Sequence, residues 1–138
     1  QPDRKGPRAL PVRQRRGGSD HVSCLIGRRG QKGHVMDGTY HECGHATGAK
    51  HRLDRNFAER FKRDSLAIEE ICAELTASFV LADLGIAHHP RPDHAAYVAS
   101  WLRVFKDDPR AIFTAASKAQ AAADWMHAQQ PQAEEMAA

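Results

Sequence analysis

A mainly α-helical fold is predicted for this 138-residue chain by three observations. Alanine is plentiful late in the chain while aromatic residues make up only 7%, a composition that favours helices over sheets. Apolar residues recur at three- and four-residue steps through residues 66–84, the spacing of one helix face. Boundary residues then fall where such spacing starts and stops. Asp37, Asp64 or Ser65, Asp93 and the Asp108-Pro109 pair precede helices, and Gly48 and Gly85 follow them. At this length one domain with a modest core is expected.

Residues 1–36 read as a basic arm largely without regular structure. Arg4, Lys5, Arg8, Arg13, Arg15, Arg16, Arg28, Arg29 and Lys32 face only Asp3 and Asp20, a net +7 that leaves −4 on the remainder of a +3 chain. Val22-Ser23-Cys24-Leu25-Ile26 is its one candidate strand, bounded by His21 and Gly27. Arginine and lysine displace counterions from phosphates, so weak, sequence-independent DNA binding is one role open to the arm. No aromatic residue interleaves the charges to stack on bases, and a disordered, solvated tail is the favoured reading.

Residues 37–128 form the expected domain and 129–138 a tail. Asp37 is placed to cap a first helix over about 38–47, with Gly48 ending it in the left-handed conformation. His51-Arg52-Leu53-Asp54-Arg55 reads as a turn, and residues 56–62 as irregular or a single helical turn. The long helix over 66–84 places Ile68, Ile71, Cys72, Leu75, Phe79 and Leu84 on one buried stripe and is closed by Gly85. After a proline-rich connection at 88–92, a third helix from 94 to about 106 carries Val98, Trp101, Leu102 and Phe105 inward. A fourth runs from the Asp108-Pro109 start to about 127, packing Ile112, Phe113, Ala116, Ala119, Ala123 and Met126. The alanine-rich tract at 115–123 permits close helix approach.

Cys24, Cys43 and Cys72 make an odd count with no paired spacing, so a disulfide framework is not expected and a reducing compartment fits better. Cys43 and Cys72 read as small buried apolar residues rather than thiolate ligands. No apolar run approaches a membrane span, and the first residues lack the layout of a signal peptide; a cytoplasmic protein is expected. The chain begins at Gln1 rather than Met, as a fragment or a processed form would.

The first helix contains His41-Glu42-Cys43-Gly44-His45, an H-E-x-x-H motif. Positions i and i+4 share a helix face, so the two imidazoles can close on one metal ion. Glu42, one residue along, can reach a water held by that metal. Zinc suits such a site, because imidazole and carboxylate are its usual ligands when a catalytic position stays open. The motif alone supplies no third ligand. Glu70 and Glu74 are i,i+4 neighbours flanking the long helix's stripe, and by spacing alone they read as solvent-facing glutamates.

Three blocks together resemble a known family. They are HECGHATG (41–48) with RLDR (52–55), EEICAEL (69–75) running into ADLGI (82–86), and DHAAYVASWL (93–102) followed by RAIFTAASKAQAAADW (110–125). The chain is similar to the zincin-like metallopeptidase domain at the C-terminus of ArdC-type antirestriction proteins, the polyvalent-protein domain of plasmids and phages. The similarity covers about residues 40–127. It implies a zincin of the glutamate class: Zn2+ held by His41, His45 and Glu70, Glu42 as general base, and Glu74 as an outer partner that orients a ligand. The implied activity is metal-dependent hydrolysis of peptide bonds in a peptide or protein substrate. The alternative is a non-catalytic antirestriction or DNA-binding accessory whose metal is structural. His51, His94 and Tyr97 are candidate oxyanion donors. The family has strands upstream of the motif and a longer apolar run with paired tyrosines entering the first helix. Here only Gly38-Thr39-Tyr40 precedes His41, and residues 1–36 match nothing in that pattern, so the upstream sheet is expected to be truncated or missing.

Overall fold

The computed structural model describes residues 33–87 and 94–130. Its elements, in order, are α1 (Gly33–Thr47), α2 (Ala58–Phe61), a 3-10 turn (Lys62–Asp64), α3 (Ser65–Asp83), α4 (His94–Asp107) and α5 (Ala111–Ala128). No strand occurs among the described residues, in keeping with a mainly helical zincin-like domain. The candidate strand at 22–26, and the basic arm up to residue 32, lie outside the described residues. No helix among the described residues is long and apolar enough to cross a membrane.

The long helix α3 is the centre of the fold. It packs against α1, α5 and α4, and α1 also touches α5. With neighbours on several sides, α3 buries more than one stripe: Ile68, Ile71, Cys72, Ala73, Thr76, Ala77, Val80 and Leu81 are all inside. Leu84, assigned to that stripe from spacing, lies just past the helix end and is 36% exposed. Gly85 closes the helix at φ 66, a left-handed conformation that glycine adopts without a Cβ penalty. Two clusters divide the core. One joins Phe57 and Phe61 to Ile68, Ile71, Val104, Ala111 and Ala115; the other joins Tyr40 and Cys43 to Val80, Leu81, Ala123 and Met126.

The outer helices are rotated relative to the spacing-based reading. In α5 the buried positions are Ala111, Ala115, Ala119, Ala122, Ala123 and Met126, while Phe113 is 72% exposed. Small residues face α3, so the helices approach closely and the larger side chain points away. In α4 the fully buried residue among the described side chains is Val104; Trp101 and Phe105 are partly buried, and Val98 and Leu102 are exposed. Asp64 stands at the N-cap of α3 but makes no capping bond with its side chain. Its carboxylate instead accepts from Arg103 of α4, at 3.1 Å from Nη2. Asp108 precedes α5 by a turn, accepting from the Arg110 amide at 3.0 Å, and the helix proper begins at Ala111.

Two corrections concern α1. The helix starts at Gly33, about a turn before the predicted cap, and runs through Asp37, because no proline or other breaker stands between them. Gly48 follows the helix but is not left-handed; the glycine at positive φ among the described residues is Gly85. What Gly48 supplies is room, since a Cβ there would lie 2.8 Å from Arg55 Nη2. Gly44 plays a similar part on the opposite side. A Cβ at Gly44 would stand 3.1 Å from both Cα and O of Ala73, so its absence lets α1 and α3 close at the level of the two histidines. Cys43, between them, and Cys72 on α3 are both buried, as expected of small apolar residues.

Candidate metal centre

The close approach of α1 to α3 sets the histidines of one helix over a row of glutamates on the other. His41 Nε2 and His45 Nε2 stand 3.0 Å apart, with the two rings nearly perpendicular at 83°. Glu70 faces both: Oε2 is 3.2 Å from His41 Nε2, and Oε1 is 3.3 Å from His45 Nε2. One ligand atom from each of the three residues lies within 4.8 Å of the others. Carboxylates stand behind the histidines as well. His41 Nδ1 lies 3.1 Å from Glu74 Oε2, and His45 Nδ1 lies 3.2 Å from Glu69 Oε1.

These contacts fix the chemistry at the centre. An ionised carboxylate only accepts, so each Nδ1 bonded to one carries the ring proton. In a neutral imidazole the Nε2 is then bare. With both rings neutral, two bare nitrogens and a carboxylate would face one another at 3.0–3.3 Å with no donor among them. Such a group of acceptors repels unless a cation, either a proton or a metal ion, lies between them. Bonds of roughly 2.0–2.2 Å at tetrahedral angles put neighbouring zinc ligands about 3.3–3.5 Å apart, close to the separations found here. The donor set fits a divalent metal.

Protons and a metal ion would compete for this place. The hydrogen bond that His45 donates to Glu69 holds the His45 pKa above its ordinary value of 6.5, with burial opposing and the Glu70 charge helping. For a histidine whose folded pKa is raised, the stabilisation is complete below the unfolded value and is lost as pH rises through the folded one. A metal ligand must be neutral, so metal affinity moves the other way and rises with pH across that window. Competition titrations with zinc between about pH 6 and about pH 8 should show this rise. An affinity independent of pH would contradict the assignment of His45.

The remaining residues named from the sequence are placed as follows. Glu42 is exposed on α1, one residue from His41. His51 is exposed in the turn after α1, and Tyr97 stacks on Trp101 within α4 at 6.4 Å between ring centroids. His94 opens α4, and its side chain lies outside the described residues. Cys72 is no thiolate donor, because burial pushes its thiol up to about 11. Two residues at the centre were not anticipated, Glu69 behind His45 and Arg55 behind Glu69. The sequence signal was the pair Glu69-Glu70 between the buried residues Ile68 and Ile71. Beside His45, on the side of Glu69 and Arg55, a shallow, open depression of about 370 Å³ lies between Ala49, Phe57 and Leu66.

Comparison with known proteins gives a consistent picture. A family model described as zincin-like metallopeptidase matches residues 30–118, starting and ending earlier than the similarity read from the sequence. The uncharacterised protein y4eC of Sinorhizobium fredii (strain NBRC 101917 / NGR234) is 58% identical over 94 residues, 68% of this chain and 31% of that protein. An Escherichia coli protein named DNA primase TraC is 47% identical over 87 residues, 62% of this chain and 8% of its own length. Among solved structures, the metal-free antirestriction ArdC protein from plasmid R388 aligns with a TM-score of 0.57 and 47% identity, over 65% of this chain and 32% of that one. The chain thus spans less than a third of the length of each of these relatives.

Proposed function

The chain belongs to the zincin-like metallopeptidase family, and from that premise we propose that it hydrolyses peptide bonds as the metal-dependent domain of an antirestriction-type protein from a mobile element. The observation that carries this reading is the convergence of His41 Nε2, His45 Nε2 and the Glu70 carboxylate on one point, with one ligand atom from each within 4.8 Å of the others. Zinc is the metal proposed. When bound, it supplies Lewis acidity, lowering the pKa of a water from 15.7 toward roughly 7 and polarising a carbonyl.

The chain's own residues do the rest. His41 and His45 present their Nε2 atoms, held in that tautomer by Glu74 and Glu69. Glu70 adds the negative charge that a divalent ion requires. Glu42, exposed beside this group, takes the proton from the attacking water and passes it to the leaving amine as the C–N bond breaks.

The names of the relatives favour a second reading, a non-catalytic accessory to DNA transfer or antirestriction in which the metal is structural. A structural zinc normally has four protein ligands, whereas three side chains converge here among the described residues, which supports an open position. The test is hydrolysis of a pooled peptide or unfolded-protein substrate, with a chelator and zinc add-back as controls. Cleavage lost to chelator and restored by zinc is expected. No cleavage of any pool by the zinc-loaded protein would favour the accessory.

A further inference from the structure

Arg55 is a charged group that the proposed mechanism leaves unused. Its side chain is 1% exposed. Burying a guanidinium costs several kcal/mol unless its donors are all engaged, so the position calls for a reason. The donors converge on two places. Nε donates to Glu69 Oε2 at 2.8 Å, and Nη2 reaches Glu69 Oε1, making a two-pronged contact with that carboxylate. Nη2 also donates to the Gly44 carbonyl at 2.9 Å, and Nη1 to Thr47 Oγ1 at 3.0 Å.

Both places adjoin His45. Glu69 Oε1 is the atom that accepts the hydrogen bond from His45 Nδ1. Gly44 and Thr47 flank His45 in the last turn of α1, where a cation also meets the negative end of the helix dipole. The local backbone is shaped around the same group. Gly48 has no Cβ to collide with the guanidinium, and Asp54 takes φ 47, a strained value that aspartate tolerates. That reversal lets the Arg55 amide donate to the Gly48 carbonyl at 3.0 Å, returning the side chain to the end of α1.

We propose that Arg55 is a positioning residue for the metal centre. Through Glu69 it fixes the tautomer and ring orientation of His45, and through Gly44 and Thr47 it fixes the backbone from which His45 projects. The inference rests on the reading of His45 as a metal ligand. A planar fork is needed for this, because a single ammonium could satisfy Glu69 but not the helix end at the same time.

The test uses Glu69→Gln, which keeps the side chain's shape, together with Arg55→Gln, Arg55→Lys and the double variant Arg55→Gln/Glu69→Gln. Zinc affinity is read by competition with a chromophoric chelator on variants shown to be folded by circular dichroism. The His45 tautomer is read from ¹⁵N shifts at a pH where the ring is neutral. Outer partners of a metal-bound histidine are typically worth 10–100-fold in metal affinity, so Glu69→Gln and Arg55→Gln should each weaken zinc by about that factor. The lysine variant should recover part of the loss. The double variant should bind zinc about as weakly as Glu69→Gln alone. In both glutamine variants the Nδ1–H form should give way to a mixture. Should Arg55→Gln fail to fold, Glu69→Gln carries both readouts. Affinity within about twofold of wild type with an unchanged tautomer, even where the melting temperature falls, would reduce Arg55 to a structural ion pair and overturn the proposal. His45→Ala separates the two levels: zinc retained there would sink the metal-centre reading itself, whereas zinc lost there but kept in Glu69→Gln would sink only the role of Arg55.

Discussion

His45→Ala is expected to abolish stoichiometric zinc binding while leaving most of the fold in place. The side chain is 27% exposed, so its removal opens no large core cavity. What disappears is one of the two bare nitrogens, leaving His41 Nε2 and Glu70 to hold the ion. A metal that binds only the folded chain stabilises it by mass action, by about 2.7 kcal/mol at a free concentration 100 times the Kd. Wild type should therefore melt higher with zinc than with chelator, and the variant should melt alike in both. Metal analysis after dialysis and a pair of thermal melts give the answer. Full retention of zinc by the variant would remove His45 from the site.

Glu42→Gln should have the opposite profile, with metal content and stability unchanged and hydrolysis nearly lost. Surface substitutions away from special features usually stay within about 0.5 kcal/mol, and Glu42 is exposed. General-base catalysis is typically worth about 10²–10⁴-fold, or roughly 2.7–5.4 kcal/mol at the barrier. An effect of that size on rate, with none on melting or zinc, belongs to chemistry rather than structure. The measurement is the chelator-sensitive cleavage rate of wild type and variant on the same peptide pool. Unchanged cleavage by Glu42→Gln would refute the proposed mechanism. In the accessory reading the substitution is silent in every assay.

The fold and the centre differed in how far the sequence disclosed them. His41 and His45 could be read directly, since four residues along a helix is a matter of backbone geometry. Glu70 and Glu74 could not. Their spacing fits a solvent-facing edge equally well, and only family resemblance raised them to site candidates. Glu69 and Arg55 escaped altogether, because the contact between them depends on how the turn after α1 folds back, with its reversal at Asp54. The helix order was legible from boundary residues and periodicity, whereas the facing of α4 and α5 was not. Large apolar residues were taken as inward, but α5 meets α3 through alanines, which leaves Phe113 outside. Where contact is made by small side chains, hydrophobic size points to the wrong face.

Gly44 shows the same limit. Within the motif it occupies an unspecified position, yet a Cβ there would press on the Ala73 backbone and part the two helices that carry the donors. Local pattern fixes which residues can bind a metal, and close packing decides whether they meet.

The most direct test of the central claim is X-ray absorption at the zinc edge on the purified, zinc-loaded chain, with metal content measured on the same sample. The account predicts one zinc per chain, with two imidazole nitrogens and a carboxylate from His41, His45 and Glu70, completed by solvent oxygen and without sulfur. Substoichiometric zinc, a sulfur ligand or a shell closed by four protein side chains would contradict it.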